Sequence, residues 1–216
     1  MLGTPEKRLA LQAYEQILDL ILRGRAGPGE VVNERRLADE LGMSRTPVRD
    51  ALLMLEGEGL LLRQGRALQI KQMRIEDYMD ALQIRLLLEP AVARMAAGGV
   101  DATVTQRLRA EVEDILKRSE TERADRALVR EVDESLHGLL ADMSGNPQLA
   151  TIIRTLRRQT QMFDLRSMPE RLADTCQEHL TIIAAVESGD GEAAASAMSA
   201  HLSRVRDSIV RRLTRT

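Results

Sequence analysis

The sequence predicts a mainly α-helical protein in two parts. The first is an N-terminal winged helix-turn-helix with a small β-hairpin wing, and the second is a C-terminal antiparallel all-α bundle. Two observations predict this order. Helical apolar spacing is followed by two short strand-like runs near Gly65, and from about Arg74 the chain has helical patterning with short breaks. We therefore divide the chain into domains 1–73 and 74–216.

The first part begins with three predicted helices. The apolar face of the first, at i, i+3, i+4, i+7 and i+8, comprises Tyr14, Ile17, Leu18, Ile21 and Leu22. A Gly- and Pro-containing stretch, Gly24–Gly29, ends it. Asn33 is the predicted N-cap of the second helix, and Gly42 makes the turn after it. Ser44 is the predicted cap of the third helix, and Pro47 falls in its first turn.

The third helix is predicted to end near Gly59, where the strand-like runs begin. These runs are Leu60–Arg63 and Ala67–Lys71, joined by a turn in which Gly65 permits a positive φ. Beyond the hairpin, the helical half has five predicted breaks. They lie at Gly98-Gly99, Ser119–Thr121, Ser144–Pro147, Met168-Pro169 and Ser188–Gly191.

Composition restricts the classes of protein that remain. The 216 residues are 30% charged and 44% hydrophobic, as in a globular chain. A single cysteine, Cys176, and the lack of a signal peptide predict a cytoplasmic location. No apolar run approaches the roughly 20 residues that span a bilayer, so we expect no membrane partner. Three aromatic residues in total argue against stacking on single-stranded nucleic acid.

Charge does not by itself indicate a nucleic-acid partner. The net charge is −2, and residues 1–72 carry 11 basic against 10 acidic side chains. Binding of duplex DNA must therefore depend on where particular cations lie. Arg45 and Arg49 are one turn apart on the third helix, opposite its apolar face, where arginine can bind guanine or phosphate in a major groove. Solvated ion pairs with nearby carboxylates are the alternative for either arginine taken alone; the candidates are Asp39, Glu40 and Asp50.

Other residues support the same surface. Arg35 lies near the start of the preceding helix, Thr46 offers a hydroxyl to phosphate, and Arg66 is at the wing tip. The run VNERRLADELGMSRTPVRDALLMLEGEGLL resembles the DNA-binding domain of the GntR family, over about residues 8–72. The resemblance implies that Arg35, Arg45 and Arg49 are the main DNA contacts, with Gly65 in the wing. The wing, RQGRALQI, departs from the family pattern because it lacks the usual proline and aromatic residue.

The three histidines all fall in the helical half. Asp133 and His137 are one turn apart, and His179 and His201 each lie on an apolar helix face. Each histidine alone is more simply a hydrogen-bonded core residue, whereas the three together, with an aspartate, favour a metal site.

A second resemblance bears on this set. VDESLHGLLADMSGNPQL, EHLTIIAAVESGD and AMSAHL are similar to segments of the FCD effector domain of the FadR-type branch, over about residues 74–212. The resemblance implies that Asp133, His137, His179 and His201 hold a divalent ion, with Zn²⁺ or Ni²⁺ as the main candidates. It also implies that a small carboxylate metabolite is the effector.

Arg85 lies on a mostly apolar helix face and needs an anionic partner. Glu89, four residues on, would make a local pair, whereas a carboxylate effector is the functional alternative. The resemblance favours the effector, because the family's first effector-domain helix often supplies such an arginine.

Together these expectations describe a regulator that binds a palindromic operator in double-stranded DNA as a homodimer. The family resemblance implies that it is a repressor. Two alternatives remain open. The metal could be purely structural, or the protein could be a metal-dependent enzyme. The enzyme is disfavoured because the sequence has no HExxH motif, phosphate loop or nucleophile elbow.

Overall fold

The computed structural model describes residues 5–119, 125–163 and 171–214, and this part contains nine α-helices and a two-stranded antiparallel sheet. In chain order the elements are α1 (Pro5–Leu22), α2 (Glu34–Leu41), α3 (Arg45–Gly57), β1 (Leu61–Gln64), β2 (Ala67–Ile70), α4 (Ile75–Ala96), α5 (Ala102–Ser119), α6 (Arg126–Met143), α7 (Pro147–Met162), α8 (Leu172–Glu187) and α9 (Gly191–Thr214). The predicted fold class, helical with a hairpin wing, is confirmed. Among the described helices, none is long and apolar enough to cross a membrane.

The described residues form two compact units. The first runs to Tyr78 and also contains Arg158–Phe163, from the end of α7. The second comprises Met79–Arg157 together with the described residues from 171 onward.

In the first unit, the signals that begin and end the short helices are mostly those predicted. The Asn33 side chain accepts a hydrogen bond from the backbone N–H of Arg36 at 3.0 Å and so caps α2. Gly42 ends that helix in the left-handed conformation, with φ of 63°. Ser44 occupies the N-cap position of α3, but its side chain makes no capping hydrogen bond, so that part of the prediction was wrong.

The wing is a hairpin in which Leu61 pairs with Ile70 and Gln64 with Ala67. Strand β1 begins and ends one residue later than predicted, and β2 ends one residue earlier. Gly65 has the predicted positive φ, at 60°. The segment before α2 also pairs with β2, because the Val32 N–H donates to the Leu68 carbonyl oxygen at 2.7 Å. The hairpin is thus joined to the rest of the unit through its second strand.

The core of the first unit forms where α1 packs on α3. Its fully buried members are Ala13, Val48, Ala51, Leu55 and Leu60. At the end of α3, Glu58 accepts hydrogen bonds from the Tyr14 hydroxyl at 2.8 Å and from Arg158 at 2.9 and 3.0 Å. The Gln159 amide donates to the Glu58 carbonyl oxygen at 2.8 Å. The end of α7 is therefore part of this unit's structure.

The second unit is a helical bundle in which α8 packs against α5 and α9, and α5 also packs against α6. The breaks predicted at Gly98-Gly99, Ser144–Pro147 and Ser188–Gly191 are confirmed. The break at Ser119–Thr121 lies partly outside the described residues, and that at Met168-Pro169 lies wholly outside them. Gly191 allows a close approach to α4, because a Cβ there would meet the Arg94 carbonyl oxygen at 3.1 Å.

Candidate functional site

The four predicted metal ligands meet inside the second unit. Asp133 and His137 lie one turn apart on α6, His179 is on α8 and His201 is on α9. One potential ligand atom from each side chain can be chosen so that all lie within 4.8 Å of one another. The three imidazoles are buried, and the nearest ring centroids, of His179 and His201, are 4.9 Å apart. Four groups far apart in sequence are therefore gathered in one place.

The distances within this set fit a shared ion. Nε2 of His179 is 3.4 Å from Oδ1 of Asp133, and Nε2 of His137 is 3.6 Å from the same oxygen. Atoms bonded to one ion at about 2.0–2.2 Å lie about 3.3–3.6 Å apart around a tetrahedral centre. Both Nε2 atoms are buried and have no hydrogen-bond partner among the described residues. Such atoms are rare in folded proteins unless an ion or water satisfies them.

The protonation states also suit metal binding. Burial, with the positive charge of Arg157, lowers the pKa of His137. Burial, with His201 close by, holds the pKa of His179 well below its usual range. Burial would raise the pKa of Asp133, but the charge of Arg157 outweighs that effect and the pKa is lowered. At neutral pH the site therefore offers two neutral imidazoles and a carboxylate, the forms that bind a cation.

A buried arginine fixes the aspartate. Arg157, on α7, is 1% exposed and donates to Oδ2 of Asp133 at 2.6 Å and to its carbonyl oxygen at 3.2 Å. Its Nε donates to Glu134 at 2.9 Å. Because Oδ2 is held by Arg157, Oδ1 is the Asp133 oxygen that faces the histidines. Neither Arg157 nor this contact was predicted.

Two buried carboxylates lie behind the histidines, and neither contact with a histidine was predicted. Oε2 of Glu89 lies 2.5 Å from Nδ1 of His137, and Oε2 of Glu178 lies 2.8 Å from Nδ1 of His201. Glu89 is 1% exposed and Glu178 is 7% exposed. A signal existed for Glu89, which is an acidic residue on an otherwise apolar face of α4. Nothing in the sequence pointed to Glu178, since its neighbour His179 was the residue of interest.

Arg85 is buried, and its Nε donates to Oε1 of Glu89 at 2.6 Å. This is the local pair that the sequence offered as the alternative to an effector contact. Burial would raise the pKa of Glu89, but Arg85 and His137 lower it. Arg85 therefore contacts the metal-ligand set indirectly, because Glu89 lies between its guanidinium and the His137 ring.

On the first unit, Arg45 and Arg49 of α3 converge on one carboxylate. Nε of Arg45 lies 2.8 Å from Glu34, and Nε of Arg49 lies 3.1 Å from it. Both arginine side chains are mostly exposed, at 63% and 60%. Glu34 is the first residue of α2, and it was not among the carboxylates considered as partners for these arginines. The contact between the two helices brings it close, which the sequence pattern did not reveal.

The other predicted DNA contacts also lie on the surface of the first unit. Arg35 is exposed on α2, Thr46 is exposed in the first turn of α3, and Gly65 and Arg66 are exposed at the turn of the wing. Helix α3, with its inner face buried and its outer face carrying Arg45 and Arg49, has the layout of a recognition helix.

Hydrolytic chemistry finds little support near the four ligands. A hydrolase would need a general base near the ion, but Glu134, the carboxylate next to Asp133 in the chain, is bonded to Arg157. Burial raises the pKa of the Cys176 thiol to about 11, so this side chain is a neutral core group at pH 7.

Comparison with known proteins extends these observations. The model of the FCD domain matches residues 80–204, and that of bacterial regulatory proteins of the gntR family matches residues 9–67. The transcriptional regulator LutR of Bacillus subtilis is 32% identical over 215 residues, which cover 87% of this chain and 95% of LutR. The transcriptional repressor RspR of Escherichia coli is 28% identical over 212 residues, which cover 95% of this chain and 90% of RspR.

A solved structure shares the fold. McbR/YncC of E. coli superposes with a TM-score of 0.80 at 21% identity, covering 99% of this chain and 100% of that one. The gntR family, LutR and RspR are transcription regulators and not enzymes. The chain therefore belongs to the GntR family of bacterial regulatory proteins and is a DNA-binding transcriptional regulator with an FCD domain.

Proposed function

We propose that the protein is a cytoplasmic repressor whose affinity for its operator is changed by a small carboxylate bound at a divalent metal ion. Residues 1–73 bind the operator, and residues 74–216 bind the ion and the effector and form a homodimer. The observation that carries the proposal is the pair of buried Nε2 atoms of His137 and His179 beside Asp133, which have no hydrogen-bond partner in the described part of the chain. An ion satisfies both atoms at once.

Asp133, His137, His179 and His201 are the residues that hold the ion. Three imidazoles and one carboxylate suit Zn²⁺ or Ni²⁺. A four-coordinate Zn²⁺ held by these four residues would be a closed structural site. A five- or six-coordinate ion held by the same residues would have one or two coordination positions left for an effector carboxylate. The number of ligands therefore separates a sensing site from a purely structural one.

The effector is proposed to be a carboxylate because the family resemblance implies one and because two arginines lie close to the ligand set. Arg157 contacts Asp133, and Arg85 lies behind His137 through Glu89. Together with a divalent ion, these arginines favour an anionic ligand. We propose Arg85 as the arginine that binds the effector, which requires the effector to compete with Glu89 for the guanidinium.

For the operator, we propose that Arg45 and Arg49 bind base edges or phosphate from the major groove. Both are held by Glu34 in the free protein, so DNA must displace this carboxylate. An exposed ion pair contributes little stability, and the exchange is therefore inexpensive. Supporting contacts are assigned to Arg35, Thr46, Gly65 and Arg66.

A palindromic operator requires two copies of the chain, because one recognition helix reads only a few base pairs. Support for a dimer comes from an apolar stripe on the outside of α4. Ile84 is 43% exposed, Leu87 72% and Met95 53%, and their spacing puts them on one helix face. Clustered apolar residues of this kind are typical of protein interfaces.

The effector must also change operator affinity. Arg157, on α7, bonds Asp133, so a shift of Asp133 on effector binding acts directly on this helix. The effector changes operator affinity only if it binds the DNA-binding conformation and the DNA-free conformation with different affinities.

Operator binding under defined metal and effector conditions tests the proposal. A footprint on DNA beside the protein's own gene identifies the operator, and its Kd is then measured for zinc-loaded and metal-free protein with a panel of small carboxylates. His179→Ala removes a ligand, and Cys176→Ala is the matched control, because this residue is equally buried and three positions earlier on α8.

We expect a carboxylate to weaken operator binding by zinc-loaded wild type and by Cys176→Ala, but not by His179→Ala. Absence of any protected site, or an equal carboxylate effect in His179→Ala, would contradict the proposal. A metal that stabilises the protein while no carboxylate changes the Kd would instead support the structural alternative.

A further inference from the structure

Two of the three histidines have the same arrangement on the side away from the ligand set. Nδ1 of His137 meets Glu89, and Glu89 is in turn bonded by Arg85. The three side chains come from α4 and α6 and are all buried. The imidazole thus has a carboxylate on Nδ1, while its Nε2 faces Asp133 and makes no hydrogen bond with any residue that the structure describes.

The second arrangement joins α8 and α9. Nδ1 of His201 meets Oε2 of Glu178, and Arg171 donates to that same oxygen at 2.8 Å. Arg204 lies 3.5 Å from the other carboxylate oxygen. Because Nδ1 of His201 is used in this contact, Nε2 is the ring nitrogen that remains for an ion.

We infer that Glu89 and Glu178 are positioning residues, which fix His137 and His201 in the tautomer that carries its proton on Nδ1 and so present both Nε2 lone pairs to one ion. This inference rests on the proposed metal site. It adds two residues that touch neither the ion nor the effector and that set the orientation and basicity of the ligands.

The chemistry of a carboxylate makes this assignment directional. An ionised carboxylate only accepts hydrogen bonds, so the ring nitrogen facing it must carry the proton. Each carboxylate also has an arginine on it, Arg85 on Glu89 and Arg171 on Glu178, and an arginine can only donate, so it pairs with the acceptor form of the carboxylate. A carboxylate behind a metal-bound histidine holds the ring in place and makes it a stronger ligand.

Glutamine is the informative replacement, because it has nearly the same shape but its amide can either accept from Nδ1–H or donate to a bare Nδ1. Glu89→Gln and Glu178→Gln therefore remove the tautomer preference while largely retaining the volume. Glu187→Gln is the matched control. Glu187 is also on α8 and also pairs with an arginine, Arg109, but it contacts no histidine in the described residues.

The first measurement is the Kd for Zn²⁺, determined by competition with a chelator of known affinity. We expect each of the two variants to bind about 10- to 100-fold more weakly than wild type and the control to be unchanged. Zinc binding by wild type with equal affinity in both variants would overturn the inference and leave the metal site intact. Wild type that binds no zinc would instead contradict the proposed function.

The second measurement needs neither metal nor a variant. Nitrogen-15 spectra of the histidine rings in metal-free wild type report which nitrogen is protonated, and we expect Nδ1–H for His137 and His201. This result would support the inference even if a glutamine variant failed to fold. Protonation at Nε2 with a bare Nδ1 in either ring would overturn it.

Discussion

Replacing Arg157 with methionine removes the charge that holds Asp133 while keeping a long side chain. Arg157 is 1% exposed and bonds both Asp133 and Glu134, whose side chains are 29% and 35% exposed. Losing one partner of a fully buried ion pair costs about 3–5 kcal/mol, and partial exposure of the two carboxylates reduces this to about 2–4 kcal/mol. For a chain of this size, the unfolding temperature should fall by about 4–16 °C.

The assay is thermal unfolding of the metal-free protein, repeated with saturating Zn²⁺. Zinc should reduce the difference in unfolding temperature between Arg157→Met and wild type, because the ion supplies positive charge to Asp133. Arg154→Met is the control on the same helix, since Arg154 pairs with Asp142 at the surface and should contribute little. If Arg157→Met were no less stable than Arg154→Met, the role assigned to Arg157 would be refuted.

Three further predictions concern the operator, the protonation of the site and the dimer. Arg45→Ala or Arg49→Ala should weaken operator binding by about 5- to 150-fold if the residue contacts a base. If it contacts phosphate, the slope of log affinity against log salt concentration should become shallower by about one unit. In urea titrations of the metal-free protein, the free energy of unfolding should decrease as the pH falls below about 6.5, by up to about 1.4 kcal/mol per pH unit for each of His137 and His179. The reason is that these imidazoles bind protons in the unfolded chain, whereas burial lowers their pKa in the folded protein. In sedimentation experiments wild type should be the proposed dimer and Leu87→Glu a monomer, because the variant puts a charge on the exposed stripe of α4.

Each of these has a contrary result. Unchanged operator affinity and salt dependence in both arginine variants would remove α3 from the DNA interface. A pH profile that stays the same in His179→Asn would show that this imidazole does not titrate with unfolding. A stable Leu87→Glu dimer would shift the interface to another surface.

The elements that local signals determine were predictable from sequence. Asn33 and Gly42 mark the ends of α2 because a side-chain cap and a left-handed residue act within a few positions. The bounds of the wing strands were off by one residue, since the register depends on pairing between Leu61 and Ile70 and not on either run alone. The pairing of Val32 with Leu68 was missed for the same reason.

In the functional site, too, some residues were predictable from local patterns and others were not. Asp133 and His137 were predictable as a pair by helical spacing, and His179 and His201 by their places on apolar helix faces. The family resemblance then implied that the four residues hold one ion. Arg157, Glu178 and Glu34 were missed because each acts through a contact between helices that no local pattern records.

The central claim, that Asp133 and the three histidines hold one ion, is tested most directly by counting metal. Elemental analysis of protein equilibrated with Zn²⁺ or Ni²⁺ and then freed of excess should find about one divalent ion per chain in wild type and in Cys176→Ala. His179→Ala and His201→Ala should retain only a small fraction of it. Wild type that takes up neither ion, or histidine variants that keep a full equivalent, would contradict the account.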